Sequence, residues 1–225
     1  RRRHSFPTRR SSDLTIPFNP EPRQRQRPIE LIPKSRNQEN LILNLLNPDQ
    51  SIVVAVGPAG TGKTYLAMLA AVKAFKSGEC KRIILTRPAI GVEDEQHGFL
   101  PGNIVAKMEP WTRPLMDVLR EYYRQTEIAA MIDDGSIEIS PLAYMRGRTF
   151  KHAWIIADEM QNATPAQMKM LLSRIGTESR IVVTGDVEQA DRAQGENGLL
   201  DLCSRLEHYP VKGMAACRLT GRDIQ

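Results

Sequence analysis

Gly57-Pro58-Ala59-Gly60-Thr61-Gly62-Lys63-Thr64 fits the pattern G-x-x-x-x-G-K-[ST] at every defined position. Glycines at 57, 60 and 62 let the backbone curl until its N–H groups face phosphate oxygens. Lys63 is placed to reach β- and γ-phosphates, and the Thr64 hydroxyl to ligate Mg²⁺. Tyr65 follows directly and joins the residues expected at the nucleotide. A glycine-rich turn that binds nothing is the alternative, and the flanking sequence argues against it. Residues 51–56 are apolar and β-branched, as in a buried strand, and residues 65–75 are rich in Ala, Leu and Met, as in a helix. Strand, turn and helix make an anion site, with the positive end of the helix behind the loop. The expected ligands are a nucleoside triphosphate, taken as ATP, and Mg²⁺.

Two further segments carry acids where such a site needs them. Asp158-Glu159 closes the apolar run 153–157. A phosphoryl-transfer site needs a carboxylate at such a strand end to hold Mg²⁺, a role that falls to Asp158. Its neighbour Glu159 is the candidate general base for the attacking water. An acidic turn with no chemistry is the competing reading, weakened by the phosphate loop upstream. Thr184-Gly185-Asp186-Val187-Glu188-Gln189 ends another apolar run. Ligands of open α/β sheets sit at the carboxyl ends of the strands, which places Asp186 and Gln189 beside the nucleotide.

These segments need a scaffold, and the pattern supplies one. Leu41, Ile42, Leu45 and Leu46 fall at helical spacing, with Pro48 as the stop. Strands are predicted at 51–56, 82–86, 137–139, 153–157 and 180–184. Helices are predicted at 65–75, 112–123, 127–132, 164–175 and 196–206. Thr164-Pro165-Ala166-Gln167 is a strong helix start, with Thr as cap, Pro at the first position and Gln three residues on. Residues 87–102, punctuated by Gly and Pro, read as an ordered functional loop. Apolar strands alternating with helices predict an α/β fold, a parallel sheet covered by helices on both faces.

Composition narrows the class. The chain has 225 residues, 41% of them hydrophobic, enough for one α/β domain with a tail. No apolar run approaches the ~20 residues that span a bilayer, so no membrane partner is expected. Cys80, Cys203 and Cys217 are widely spaced, which speaks against a disulfide framework or zinc site and fits a reducing cytoplasm. The net charge of +5 is concentrated in residues 1–36, with ten basic residues against three acids. Bulk charge of the folded body therefore gives no argument for nucleic acid. Residues 1–14 read as translated adaptor sequence, with a disordered basic arm as the alternative, and residues 15–34 as a Pro/Arg/Gln-rich linker. The folded domain is expected over 35–225.

The phosphate loop, Asp158-Glu159 and Gly185-Asp186-x-x-Gln189 together resemble the PhoH family of ATPases. So do Ile84-Leu85-Thr86-Arg87-Pro88-Ala89, Gly98-Phe99-Leu100-Pro101-Gly102, residues Tyr144 to Phe150 and Asp158-Glu159-Met160-Gln161-Asn162. The resemblance runs from about Asn37 to the end. It implies a P-loop NTPase with a RecA-like core related to superfamily 1 helicases, ATP hydrolysis, a homo-oligomeric ring with a hexamer as the size the resemblance suggests, and in some members RNA unwinding. Gly185-Asp186-x-x-Gln189 is similar to the helicase motif that senses the γ-phosphate, which would make Gln189 catalytic beside Glu159 and Lys63. Gln38 looks like the adenine-reading Gln of helicases, with an ordinary helix-start residue as the alternative. The chain departs from the family pattern at Met160, where Ala is usual. It also stops at Gln225, short of a basic Arg-His segment, which reads as a truncation removing an arginine finger.

Three arginines have the right chemistry for bidentate phosphate contact. Arg87, Arg146 and Arg148 could grip an RNA backbone or a neighbouring subunit's nucleotide, or stand as solvated or salt-bridged loop residues. Trp111, Tyr122 and Tyr123 could stack bases, although packing is the commoner use of such rings. Two competing functions remain beside an RNA-remodelling ATPase. One is a nucleotide-held switch or assembly protein with little turnover; the weaker is a small-molecule kinase.

Overall fold

A computed structural model describes residues 28–88, 112–113, 116–189 and 197–224. Six strands form one wholly parallel sheet in the order β3-β2-β4-β5-β1-β6. They are β1 (Ile52–Val56), β2 (Arg82–Arg87), β3 (Ile137–Pro141), β4 (Ala153–Ala157), β5 (Arg180–Gly185) and β6 (Met214–Arg218). The helices are α1 (Arg36–Leu46), α2 (Lys63–Ser77), α3 (Gln125–Asp133), α4 (Pro165–Leu172) and α5 (Gly198–His208), and residues 116–122 are also helical.

Alternation along the strands divides the core in two. Val53, Ala55, Ile83, Leu85, Trp154, Ile156 and Val182 face one layer, with α1, α2 and Ile128 of α3. Val54, Val56, Ile84, Ile155, Ala157, Ile181 and Val183 face the other, with α4 and α5. Both faces of the sheet are therefore covered, which is why its central strands read as unbroken apolar runs. β5 lies between the strand that carries the phosphate loop and the strand that ends in Asp158, the RecA-like arrangement of P-loop NTPases.

Tertiary packing, more than propensity, holds α1. An 11-residue helix is marginal alone, but Leu41 and Leu45 are fully buried. Each such side chain contributes about 1.5–3 kcal/mol on burial. The last turn of α1 has no basic residue of its own; Arg180 of β5 supplies the cation, donating to the carbonyls of Leu45 and Asn47. The Arg180 guanidinium also lies 4.9 Å over the Trp154 ring. α4 opens as its sequence dictates: Thr164 Oγ1 accepts from the Gln167 N–H and the Gln167 side chain accepts from the Thr164 N–H.

Several boundaries differ from the sequence reading. α4 stops at Leu172 because Ile175 is drawn into a bridge with Phe150. α5 runs from Gly198 to His208, two residues later at each end. β6 was not foreseen. Met214-Ala215-Ala216-Cys217-Arg218 has little strand propensity, and it extends only because β1 offers a free edge. Ile29 and Leu31 pack on the core, so order begins before Lys34 and within the segment read as linker. The tail 1–14 and residues 89–102 of the expected functional loop lie outside the described residues. The three cysteines are buried and free, and burial pushes each thiol up to about 11. No helix among the described residues is long and apolar enough to cross a membrane.

Candidate nucleotide-hydrolysis site

The turn after β1 is shaped by glycine. Gly57 adopts φ 149°, and a Cβ there would sit 2.5 Å from the Leu219 carbonyl oxygen. Gly62 caps α2 in the left-handed region at φ 81°. The loop thus passes between the segment after β6 and the end of β5, whose Gly185 carbonyl accepts the Gly57 N–H at 3.2 Å. Gly57→Ala is expected to cost about 2–4 kcal/mol through backbone strain and a clash with main chain. Urea denaturation without nucleotide checks this; an unchanged midpoint would contradict it.

Helix α2 begins at Lys63, so its partnerless first-turn N–H groups point into the loop. Lys63 itself is 8% exposed, and its Nζ donates to the Gly57 and Pro58 carbonyls at 2.7 Å and to Thr61 Oγ1 at 3.4 Å. Thr61 in turn donates to the Pro58 carbonyl at 2.8 Å. Burial lowers the Lys63 pKa, against the pull of Asp186, Glu159 and Asp158, which raise it. The ammonium is thus held by the loop before any phosphate arrives.

Opposite the loop, β4 delivers the acids. Asp158 Oδ1 accepts from Thr64 Oγ1 at 2.8 Å and from Thr184 Oγ1 at 2.5 Å. Glu159 stands at φ 53°, a left-handed backbone that a non-glycine residue adopts at a cost. Ala59, Gly60, Gly62, Lys63, Thr64, Tyr65, Asp158, Glu159, Asp186 and Gln189 all line one cleft of about 310 Å³. Thus the phosphate loop, the Asp-Glu pair and the end of β5, far apart in sequence, share one cavity at the carboxyl edge of the sheet.

The donor set suits Mg²⁺. A hydroxyl and a carboxylate oxygen already lie within 2.8 Å of each other, and Asp158, Glu159 and Asp186 outnumber the one lysine in the cleft. Adding a triphosphate would deepen that negative balance unless a divalent cation came with it. Mg²⁺ is commonly held by one or two protein oxygens plus substrate phosphates, so no all-protein cage is required. Among the described residues there is none.

Other expected site residues are placed differently. Gln38 is 1% exposed, and its amide is spent: Nε2 donates to the Thr61 carbonyl at 3.0 Å and Oε1 accepts from the Lys34 N–H at 2.8 Å. In this structure it braces the phosphate loop from below instead of presenting a free edge to a base. Arg148 is not an available phosphate ligand either. Both its terminal nitrogens bond Glu138, at 2.5 and 2.8 Å, and its guanidinium lies 4.5 Å over the Phe150 ring. That bidentate pairing raises its pKa. Arg146 is exposed on the turn after Leu142–Met145, and Arg87 ends β2, both away from the cleft lining. Tyr122 and Tyr123 pack against the core with the Lys76 ammonium 5.5 and 5.2 Å over their rings; Trp111 lies outside the described residues. Two contributors escaped the sequence reading: the Thr184 hydroxyl on Asp158, and Gln161, whose Nε2 donates to Glu159 Oε2 at 2.6 Å. A hydroxyl ending an apolar strand and a polar residue just past the acids were the available signals.

The chain is similar to known proteins. The family model described as "PhoH-like protein" matches residues 30–225. A PhoH-like protein of Bacillus subtilis is 52% identical over 173 residues, covering 77% of this chain and 54% of its own. A PhoH-like protein of Synechocystis is 45% identical, covering 77% and 52%, and Protein PhoH of Escherichia coli 40%, covering 80% and 51%. The chain therefore spans about half the length of these curated relatives. Among solved structures, the DUF1998 helicase MrfA bound to DNA is similar with a TM-score of 0.49 at 12% identity, covering 82% of this chain and 27% of its own. The Hef helicase domain of Pyrococcus furiosus gives 0.43 at 11%, covering 82% and 38%. On the family match and these identities, the chain belongs to the PhoH-like protein family.

Proposed function

We propose that this domain is a Mg²⁺-dependent ATPase whose turnover is coupled to single-stranded RNA. The observation that carries the first part is the meeting of Lys63, Thr64, Asp158 and Glu159 in one cleft. On binding, the ammonium of Lys63 exchanges the carbonyls of Gly57 and Pro58 for β- and γ-phosphate oxygens. Thr64 and Asp158 would hold Mg²⁺, which supplies charge neutralisation on the phosphates. Glu159 orients a water and takes its proton as the water oxygen bonds to the γ-phosphorus. The bond from that phosphorus to the bridging oxygen breaks, and ADP and phosphate leave. Gln189, at the mouth of the same cleft, is suited to sense the γ-phosphate.

Coupling to RNA is supported by the exposed Arg146 and the 41% exposed Tyr144, both beyond the carboxyl end of β3, and by the resemblance to helicase-related ATPases. A homo-oligomeric ring is part of the same proposal. Steady-state ATP turnover, measured with and without single-stranded RNA, tests both parts. Magnesium-dependent turnover that RNA stimulates is expected. No turnover in either case defeats the ATPase reading and leaves a nucleotide-held switch; turnover indifferent to RNA defeats the coupling alone.

A further inference from the structure

We propose that Gln161 is a positioning residue for Glu159, fixing the carboxylate that would activate water. The inference rests on reading Glu159 as the general base. Gln161 lies in the short turn Met160–Asn162 after β4, and it is 1% exposed. A buried amide needs partners at both ends, because an unpaired one is costly. Here each end meets a group of the site. Its Oε1 accepts from the Asp186 N–H at 3.1 Å, and its Nε2 donates to Glu159 Oε2 at 2.6 Å. The orientation follows from chemistry: a backbone N–H can only meet the amide oxygen, which leaves the NH₂ for the carboxylate.

The fold makes room for this bridge. A Cβ on Gly185 would stand 2.5 Å from Gln161 Oε1, so the strand lacks a side chain where the amide passes. The bridge therefore joins the end of β4 to the end of β5, two of the strand ends that face the nucleotide cleft. Glu159 needs such a fixture. It lies outside any regular helix or strand, at φ 53°, on the wall of an open cleft, where a carboxylate would otherwise sample several rotamers. A single bond from a locked amide selects one of them. Oε2 is engaged in that bond, and the carboxylate's other oxygen remains for water.

The side-chain hydrogen bonds of Gln161 run to Glu159 and Asp186 and reach none of Lys63, Thr64 or Asp158, so its loss should spare nucleotide affinity. Gln161→Met keeps the volume and removes both bonds. Gln161→Asn keeps the amide but shortens its reach, leaving a smaller disturbance of the fold. For each we expect kcat to fall about 10- to 100-fold, part of the ~10²–10⁴-fold that a positioned base supplies, with unchanged affinity for Mg²⁺-ATP. Residues acting as one unit are non-additive. Hence in a Glu159→Gln background, neither substitution should slow single-turnover ATP hydrolysis further. An equal fractional loss in both backgrounds, or a parental kcat in both Gln161 variants, would overturn the role of Gln161 alone. If instead Glu159→Gln hydrolyses ATP at the parental rate, the reading of Glu159 falls and this one with it.

Discussion

Glu159→Gln is expected to bind Mg²⁺-ATP as tightly as the parent and to hydrolyse it about 10²–10⁴-fold more slowly, the span lost with a positioned general base. The amide has the shape of the carboxylate and leaves the turn at residues 160–162 undisturbed. It cannot take a proton from water. The groups expected to hold nucleotide and Mg²⁺, Lys63, Thr64 and Asp158, are untouched, and Thr64 and Asp158 are bonded to each other at 2.8 Å. Labelled ATP should therefore accumulate on the variant in single-turnover experiments. Parental rates would remove Glu159 from the chemistry and shift attention to another group in the cleft.

Lys63→Ala should act at the opposite stage, on binding. Hydrogen bonds to charged groups contribute about 1.5–3 kcal/mol each, so losing the ammonium should weaken ATP binding at least about 10- to 150-fold. Turnover should fall with it, because in the proposed reaction the same charge would face the γ-phosphoryl group as it is transferred. The structure adds a small cost to the nucleotide-free protein. Lys63 already pairs with the Gly57 and Pro58 carbonyls; its removal takes a donor from both, and Pro58 keeps the Thr61 hydroxyl. Lys63 lines the open cleft, so water can take the place of the ammonium, and the loss of stability should stay at about 1 kcal/mol. Nucleotide titration and thermal unfolding separate the two effects. Parental affinity in a folded Lys63→Ala protein would dissociate the phosphate loop from ATP binding.

What could be read from the sequence is what neighbouring residues decide among themselves. The phosphate loop between an apolar strand and a helix, and the cap of α4 at Thr164, are local arrangements, and they appear in the structure where the sequence put them. The covered parallel sheet followed from its apolar runs. What escaped depends on partners distant in the chain. β6 extends because β1 has a free edge. Gln38 is drawn under the loop by the Thr61 carbonyl, 23 residues away. Arg148 is claimed by Glu138 across a turn, an attachment that spacing alone does not reveal. Gln161 matters through Asp186, 25 residues on, and only the juxtaposed ends of β4 and β5 make that link visible.

The strand order has a bearing on how the protein comes off the ribosome. Of the six described strands, β1 is made first, and its neighbours β5 and β6 are made last. The phosphate loop is therefore synthesised early but stays without its walls until residues more than half the chain's length away have emerged. Gly57 in particular is seated against Gly185 and Leu219, both late arrivals. Such distant pairings make folding slow, because loop closure precedes the contacts that reward it. A nascent chain arrested before β5 should thus carry the complete nucleotide motif and yet have no nucleotide site. Nucleotide capture by stalled chains of increasing length would date the moment the cleft closes.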